Sequence, residues 1–155
     1  MVVLNPGELY FGNDADEIAT LLGSCVAAVL WHPHYKYAGM CHVVLPEANK
    51  GMKNGRYANS AIETLYHDVR RVNTKPEEYQ VEVFGGGNMF PDLNNKSNNT
   101  VGDKNISAVK TELAKYGFRI ARSDVGGLKA RKIRLFRKSG KVINVYVSNA
   151  AIDEL

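Results

Sequence analysis

Residues 25–31 read CVAAVLW, and residues 39–45 read GMCHVVL. Both are continuous apolar runs of strand length, which is the pattern of strands buried on both faces. His32-Pro33-His34 lies between the runs and Pro46 closes the second one, and proline ends strand pairing. The two runs therefore predict a β-hairpin of two buried strands.

Helix and strand patterns alternate along the rest of the chain. Apolar residues at helical spacing predict helices over Tyr57–Val72 and from Ile106 to about Gly117. Residues 88–102 are rich in asparagine and are predicted to form an exposed loop. Further strands are predicted at Val81–Phe84, at Phe118–Val125 and in a hairpin over Lys132–Val147 that turns at Ser139-Gly140.

This order of elements predicts an α+β fold. We expect a layered α/β sandwich with mixed or antiparallel sheets and flanking helices, rather than a helical bundle or a doubly wound parallel sheet. A length of 155 residues favours one domain, residues 1–155. In the last hairpin we expect alternate apolar residues to supply the packing, namely Ile133, Leu135, Ile143 and Val145.

The positive charge of the chain is local. The net charge is +4, but the segment from Lys129 to Lys141 holds seven cations and no acid, so the remainder of the chain carries −3. Residues 1–35 contain no lysine or arginine. A basic face confined to one hairpin can attract any acidic partner, so it argues only weakly for nucleic acid. We expect no nucleic-acid partner.

The chain is expected to act in the cytoplasm, without insertion into a membrane. No apolar run approaches the about 20 residues of a membrane helix, and no basic segment precedes an apolar one at the N-terminus. The two cysteines, Cys25 and Cys41, are too few for a disulfide framework and are expected to be free thiols.

Cys25 and His42 are the candidates for chemistry. Cys25 follows a glycine-containing turn at the start of a strand, where its thiol can act as a nucleophile with the backbone N–H groups of Ser24 and Cys25 nearby. His42 interrupts an apolar strand and is a candidate base, and the hydroxyl of Thr20 is a candidate to orient the imidazole. A buried inert cysteine and a hydrogen-bonded core histidine remain the alternatives.

Metal and phosphate sites are less well supported. Donors for zinc exist in Cys25, Cys41, His32, His34 and His42, but their spacing is not that of common zinc sites. We expect no metal and no other cofactor. Gly85-Gly86-Gly87 belongs to neither a phosphate loop nor a dinucleotide fingerprint, so tight turns or close backbone approach explain it better.

Five short motifs follow one another between about Thr20 and Gly140, and their order contributes to a family resemblance. They are residues 22–26 (LGSCV), residues 39–46 (GMCHVVLP), residues 84–89 (FGGGNM), Gly102 with Asn105, and residues 124–127 (DVGG) with Arg131. Together they resemble the CheD family, the chemoreceptor glutamine deamidases of bacterial and archaeal chemotaxis. Lys104 and Ala130 depart from residues common in that family, but neither lies in the candidate catalytic pair.

The resemblance implies a cysteine hydrolase of the layered α+β type that converts receptor glutamine side chains to glutamate and ammonia. It places the nucleophile at Cys25, the general base at His42 and a third catalytic residue at Thr20, with an oxyanion site at the backbone around Ser24. The implied partners are the cytoplasmic domain of a chemoreceptor and the phosphatase CheC. The alternative is a non-catalytic adaptor that binds these partners. Since the modified regions of chemoreceptors are rich in Glu and Gln, we expect Arg134 and Arg137 of the basic hairpin to dock them.

Overall fold

Nine strands and two long helices make up the described part of the chain. The computed structural model describes residues 1–47, 54–91 and 100–148. The strands are β1 (Val2–Leu4), β2 (Leu9–Gly12), β3 (Glu17–Leu22), β4 (Val26–Trp31), β5 (Ala38–Val43), β6 (Gln80–Gly85), β7 (Ile120–Val125), β8 (Ala130–Phe136) and β9 (Val142–Val147). The helices are α1 (Ala58–Arg71) and α2 (Val101–Lys115), with a short 3-10 helix at Pro76–Glu78.

The strands form two mixed sheets. The five-stranded sheet has the order β2-β5-β4-β6-β7, and only its β6–β7 pair is parallel. The four-stranded sheet has the order β1-β3-β8-β9, and only its β1–β3 pair is parallel. The predicted α+β fold with layered mixed sheets is therefore confirmed.

The five-stranded sheet is the middle of three layers. One of its faces packs against α1 and α2 through residues such as Ala28, Cys41 and Val83. The opposite face packs against the four-stranded sheet through residues such as Ala27 and Met40. A strand covered on both faces has no polar side to present, which explains the two continuous apolar runs in the sequence.

The central hairpin and α1 agree with the sequence patterns. Strands β4 and β5 pair antiparallel from Val26↔Val43 to Trp31↔Ala38, and every residue of both strands is buried. Helix α1 begins one residue after the predicted range begins and ends one residue before it ends. No helix in the described ranges is long and apolar enough to cross a membrane.

The predicted loop over residues 88–102 is wrong at its end. Val101 and Gly102 already belong to α2, because Thr100 caps the helix. The Thr100 hydroxyl accepts a hydrogen bond from the N–H of Asp103 (3.1 Å), and the Asp103 carboxylate accepts one from the N–H of Thr100 (3.2 Å). Residues 92–99 of the predicted loop lie outside the described residues.

The predicted packing of the last hairpin is half wrong. Ile133 and Leu135 are fully buried, but Ile143 and Val145 are 38% and 49% exposed. The register explains this: Ile143 lies opposite Arg134 and Val145 opposite Lys132, so all four side chains share the outer face of the sheet. Val142, directly opposite Leu135, contributes to the core instead.

Candidate active site

Thr20, Cys25 and His42 lie on or next to three different strands, at one end of the layer between the sheets. Thr20 lies on β3, Cys25 directly precedes β4, and His42 lies near the end of β5. Thr20 and His42 are each only 2% exposed, whereas Cys25 is half-buried and packs against the apolar cluster between the two sheets. The sandwich thus places the three predicted side chains in its interior, with the thiol nearest to solvent.

The hydrogen bonds of Thr20 fix the tautomer of His42. The Thr20 hydroxyl donates its single proton to the carbonyl oxygen of Leu4 (2.8 Å). The same oxygen lies 2.7 Å from His42 Nδ1, so in that contact it can only accept. His42 Nδ1 therefore carries a proton, and in the neutral ring Nε2 has the free lone pair. This is the form of imidazole that can accept a proton from a thiol.

Strand register brings Cys25 and His42 to the same face. His42 lies directly opposite Ala27, and Cys25 is two residues before Ala27. Because strand side chains alternate, Cys25 and His42 are diagonal neighbours facing the four-stranded sheet. Among the described residues no hydrogen bond joins the thiol to the ring. The pair is therefore neighbouring but unbonded in the resting structure.

Burial keeps both groups neutral. It raises the pKa of the Cys25 thiol, and it lowers the pKa of His42 to about 4, with the Glu8 carboxylate opposing that fall. At neutral pH the site holds a thiol and a neutral imidazole rather than a thiolate–imidazolium pair. A pair in these protonation states can support general-base activation of the thiol during attack.

The backbone around Cys25 is held by two glycines and an asparagine. The N–H of Gly86 donates to the Cys25 carbonyl (2.8 Å), and the N–H of Gly87 donates to the Gly23 carbonyl (2.9 Å). The fully buried Asn105 amide donates to the carbonyls of Ser24 (3.2 Å) and Val44 (2.9 Å). Asn105 thus ties the segment 23–25 to the residue that follows β5, the strand that carries His42.

Within the described part of the chain, the N–H groups of Ser24 and Cys25, unlike the carbonyl groups of the same segment, donate no backbone hydrogen bond and are free to bind a ligand. Gly85 approaches so closely, at φ +110°, that a Cβ there would clash with the Cys25 carbonyl oxygen. The glycine run therefore serves close backbone approach, as predicted from the sequence.

Arg131 supports the glycine run from behind and was not recognised as a site residue from the sequence. Its guanidinium is buried and donates to the carbonyl oxygens of Gly85 (3.3 Å) and Gly126 (2.8 Å). It also lies 3.4 Å from the Asp124 carboxylate. The sequence signal was its place in a motif beside a glycine pair, but only the folded chain shows that it contacts the turn that holds Cys25.

The two arginines of the predicted docking site have different surroundings. Arg134 is half-exposed and lies 3.8 Å from the Glu17 carboxylate. Arg137 is used within the fold: its Nε donates to the Ala15 carbonyl (2.7 Å) and its Nη1 to the Lys36 carbonyl (3.1 Å). Of the two guanidinium groups, that of Arg134 is the better placed to meet a partner.

The residues considered for a metal are dispersed. Cys41 faces the helices, on the opposite side of the sheet from Cys25 and His42, and burial raises the pKa of its thiol to about 11. His32 Nδ1 accepts the N–H groups of His34 (3.2 Å) and Tyr35 (3.0 Å) at the other end of β4. Over the described ranges no three His, Cys, Asp or Glu side chains are grouped to hold a metal ion.

Exposed apolar side chains lie near Ser24, the residue before Cys25. Phe90 (65% exposed) and Val101 (52%) line a small cavity together with Ser24 and Gly87. Leu45 is also exposed and follows Val44, the residue whose carbonyl Asn105 holds. Exposed apolar groups at the mouth of a site are suited to a macromolecular surface rather than to a small polar molecule.

The layered α+β fold brings a thiol, an imidazole and a hydroxyl together at one end of its sheets. The family model for CheD, described as chemotactic sensory transduction, matches residues 44–145. The chain belongs to the CheD family.

Curated relatives match nearly the whole chain. A probable chemoreceptor glutamine deamidase CheD of Pseudomonas syringae pv. tomato is 37% identical, covering 98% of this chain and 90% of the relative. The protein of the same description from the archaeon Methanococcus maripaludis is 37% identical, covering 88% of this chain and 89% of the relative. Among solved structures, the Bacillus licheniformis hypothetical protein YfiH aligns with a TM-score of 0.44 at 13% identity, covering 72% of this chain and 46% of that one.

Proposed function

We propose that this protein is a chemoreceptor glutamine deamidase, which hydrolyses selected receptor glutamine side chains to glutamate and ammonia. Its family and the description of its relatives as probable chemoreceptor glutamine deamidases support the activity. The observation that carries the mechanism is the contact between Thr20 and His42 Nδ1, because it leaves Nε2 as the proton acceptor on the face shared with Cys25.

The reaction proceeds in two halves. As the Cys25 sulfur attacks the amide carbon of the substrate glutamine, the thiol proton passes to His42 Nε2. The resulting imidazolium gives that proton to the amide nitrogen, the C–N bond breaks, and ammonia leaves a thioester. A water molecule then attacks the thioester while His42 accepts its proton. The C–S bond breaks, and the proton returns to the sulfur, which leaves glutamate and the starting thiol.

The backbone near Cys25 supplies the electrostatic part of the mechanism. We assign the N–H groups of Ser24 and Cys25 to the oxyanion that forms during each attack, since both lack a backbone acceptor among the described residues. The carbonyls of Gly23, Ser24 and Cys25 are held by Gly87, Asn105 and Gly86, which orients the peptide groups before substrate arrives. This scheme uses only groups of the chain itself and water.

The substrate is a protein segment in the cytoplasm. The exposed apolar side chains of Phe90 and Val101 line a cavity together with Ser24 and would be covered by a receptor helix, but not by free glutamine. Covering them also excludes water from the thiol and the imidazole during attack. The phosphatase CheC is a second proposed partner, and residues 1–155 form one deamidase domain in this proposal.

A comparison of two cysteine variants tests the proposal. The cytoplasmic fragment of a chemoreceptor from the same organism is incubated with wild-type protein, Cys25→Ala or Cys41→Ala, and its peptides are analysed by mass spectrometry. We expect deamidated glutamines with the wild type and with Cys41→Ala, because Cys41 faces the opposite side of the sheet. Cys25→Ala should produce none.

The two negative outcomes of this experiment have different meanings. A fragment that the wild type binds but leaves unchanged would favour the adaptor function. Equal deamidation by Cys25→Ala would remove Cys25 as the nucleophile while leaving the activity in place.

A further inference from the structure

We propose that the outer face of the four-stranded sheet is an exosite for an acidic segment of the receptor that carries apolar side chains. We define the outer face by Val3, Lys132, Arg134, Ile143 and Val145. This inference rests on the proposed deamidase function and assigns a substrate-recognition surface apart from the catalytic residues. The occupant lies outside the glutamine that is being hydrolysed.

The outer face carries exposed apolar side chains where such a sheet ordinarily carries polar ones. A sheet of mostly antiparallel strands with one solvated face shows polar residues on that face. Here Val3 is 56% exposed and stands in one transverse row with Ala19, Arg134 and Ile143, which pair successively across all four strands. The neighbouring row joins Leu21, Lys132 and Val145. Two rows of mixed apolar and cationic side chains therefore run across the outer face, one over four strands and the other over three.

The two rows enclose a shallow depression. Lys132, Arg134, Ile143 and Val145 line a cavity of about 310 Å³. The apolar side chains supply area that a partner can remove from water, and the cations flank that area. The register that made the sequence-based packing prediction wrong is what creates this surface.

Charge selects the occupant. Within the described residues, Lys132 and Lys141 take part in no ion pair, and Arg134 has only the 3.8 Å contact with Glu17. Of the other cations in segment 129–141, Arg131 and Arg137 are bonded within the fold, and Lys138 lies 3.9 Å from the Asp16 carboxylate. A second copy of this chain docked through the same face would oppose cation to cation, which is unfavourable. An acidic segment with apolar side chains satisfies both features of the surface.

The outer face adjoins the catalytic end of the sandwich. Lys132 lies opposite Leu21, which follows Thr20 in β3. Its chain neighbour Arg131 points inward and contacts the Gly85 and Gly126 carbonyls. A receptor segment bound on the outer face can therefore continue toward Cys25. Such binding raises the local concentration of substrate without entering the reaction itself.

Steady-state kinetics with two substrates test the exosite. The substrates are a chemoreceptor cytoplasmic fragment and a short peptide that contains one of its modified glutamines. Lys132→Glu with Arg134→Glu should raise the KM for the fragment about tenfold with little change in kcat, since lost electrostatic complementarity weakens binding rather than chemistry. Ile143→Thr with Val145→Thr should act in the same direction. The kinetics of the short peptide should change little in either variant.

The matched control reverses two lysines of the helix layer. Lys110→Glu with Lys115→Glu changes the net charge equally, but on α2, which packs on the other side of the five-stranded sheet. An unchanged KM for the fragment in both outer-face variants would overturn the exosite. So would an equal rise in the control, because that would reflect net charge alone.

Binding separates the exosite from the deamidase proposal. The Kd of the fragment is measured with Cys25→Ala protein, with and without Lys132→Glu and Arg134→Glu. A weakened Kd supports the exosite even if the wild type deamidates nothing, in which case only the proposed activity fails. Binding of anionic lipid vesicles or duplex DNA through these residues, with no change in the Kd of the receptor fragment, refutes a protein exosite.

Discussion

Replacing Thr20 by valine tests whether its hydroxyl positions His42 or merely supports the fold. The change keeps a branched side chain in a site that is 2% exposed but removes one oxygen. That oxygen lies 2.8 Å from the Leu4 carbonyl and 2.7 Å from His42 Nδ1. Both partners are buried, so neither gains water in exchange.

The expected size of the effect follows from these two contacts. Each buried group that loses its partner costs about 1–3 kcal/mol, so the two together should lower the free energy of unfolding of Thr20→Val by on the order of 2–6 kcal/mol. The imidazole also loses the acceptor that keeps its proton on Nδ1. A loss of about 1–3 kcal/mol of transition-state stabilisation corresponds to a fall in kcat of about 5- to 160-fold.

Thr74 provides a matched control for stability. Its hydroxyl is also buried, donates to the Val69 carbonyl (2.7 Å) and lies 2.8 Å from the Tyr79 hydroxyl. Thr74→Val should therefore destabilise the protein by a similar amount without lowering kcat, and Thr20→Ser should restore most of the activity. Urea unfolding and deamidation kinetics measure the two effects separately. If Thr20→Val and Thr74→Val lower stability alike and both keep wild-type kcat, the positioning role is refuted.

Two further predictions concern Arg131 and the pH dependence of folding. Arg131→Gln leaves the Gly126 carbonyl without its donor and removes one of the two donors to the Gly85 carbonyl, so urea unfolding should show a loss of about 2–4 kcal/mol, and kcat should fall more than KM rises. An unchanged kcat would show that Arg131 does not support the turn that holds Cys25. The pKa of His42 is about 4 in the folded protein and 6.5 for an unburied histidine, so between these values the unfolded chain binds a proton that the native protein excludes. The His42 contribution to stability should fall, by on the order of 3 kcal/mol in total, as the pH drops from 6.5 to about 4. His42→Gln should remove this part of the pH dependence in urea unfolding, and parallel curves for both proteins would contradict it.

The parts of the fold that could be predicted are those whose sequence pattern is local and strong. The runs at Cys25–Trp31 and Gly39–Leu45 predict two buried strands because no polar face interrupts them. Helix α1 follows from apolar residues at helical spacing. The start of α2 was missed because the asparagine-rich stretch outweighed the capping pair Thr100 and Asp103, three residues apart.

What could not be predicted depends on register and on contacts distant in sequence. Apolar residues in β9 occur on both faces, and only the pairing of Arg134 with Ile143 shows which face is solvent. Asn105 reaches Ser24 across 81 residues, and Arg131 reaches Gly85 across 46. A sequence pattern identifies such residues as members of a motif, but it does not show which residues they contact in the folded chain. Their positioning roles therefore emerge only from the folded chain.

The three-layer fold and the neutral catalytic pair have the same cause. Cys25 and His42 belong to strands of a sheet that is covered on both faces, so their neighbours are apolar, and burial shifts the pKa of each group away from its charged form. A neutral thiol is a weak nucleophile, which protects it from oxidation and from reaction with small electrophiles. Activation then depends on an amide carbon placed within reach of the sulfur while Nε2 accepts the proton. In the proposed mechanism, a protein segment held by surfaces outside the site would supply that placement, so a neutral pair is better suited to a macromolecular substrate than to free glutamine.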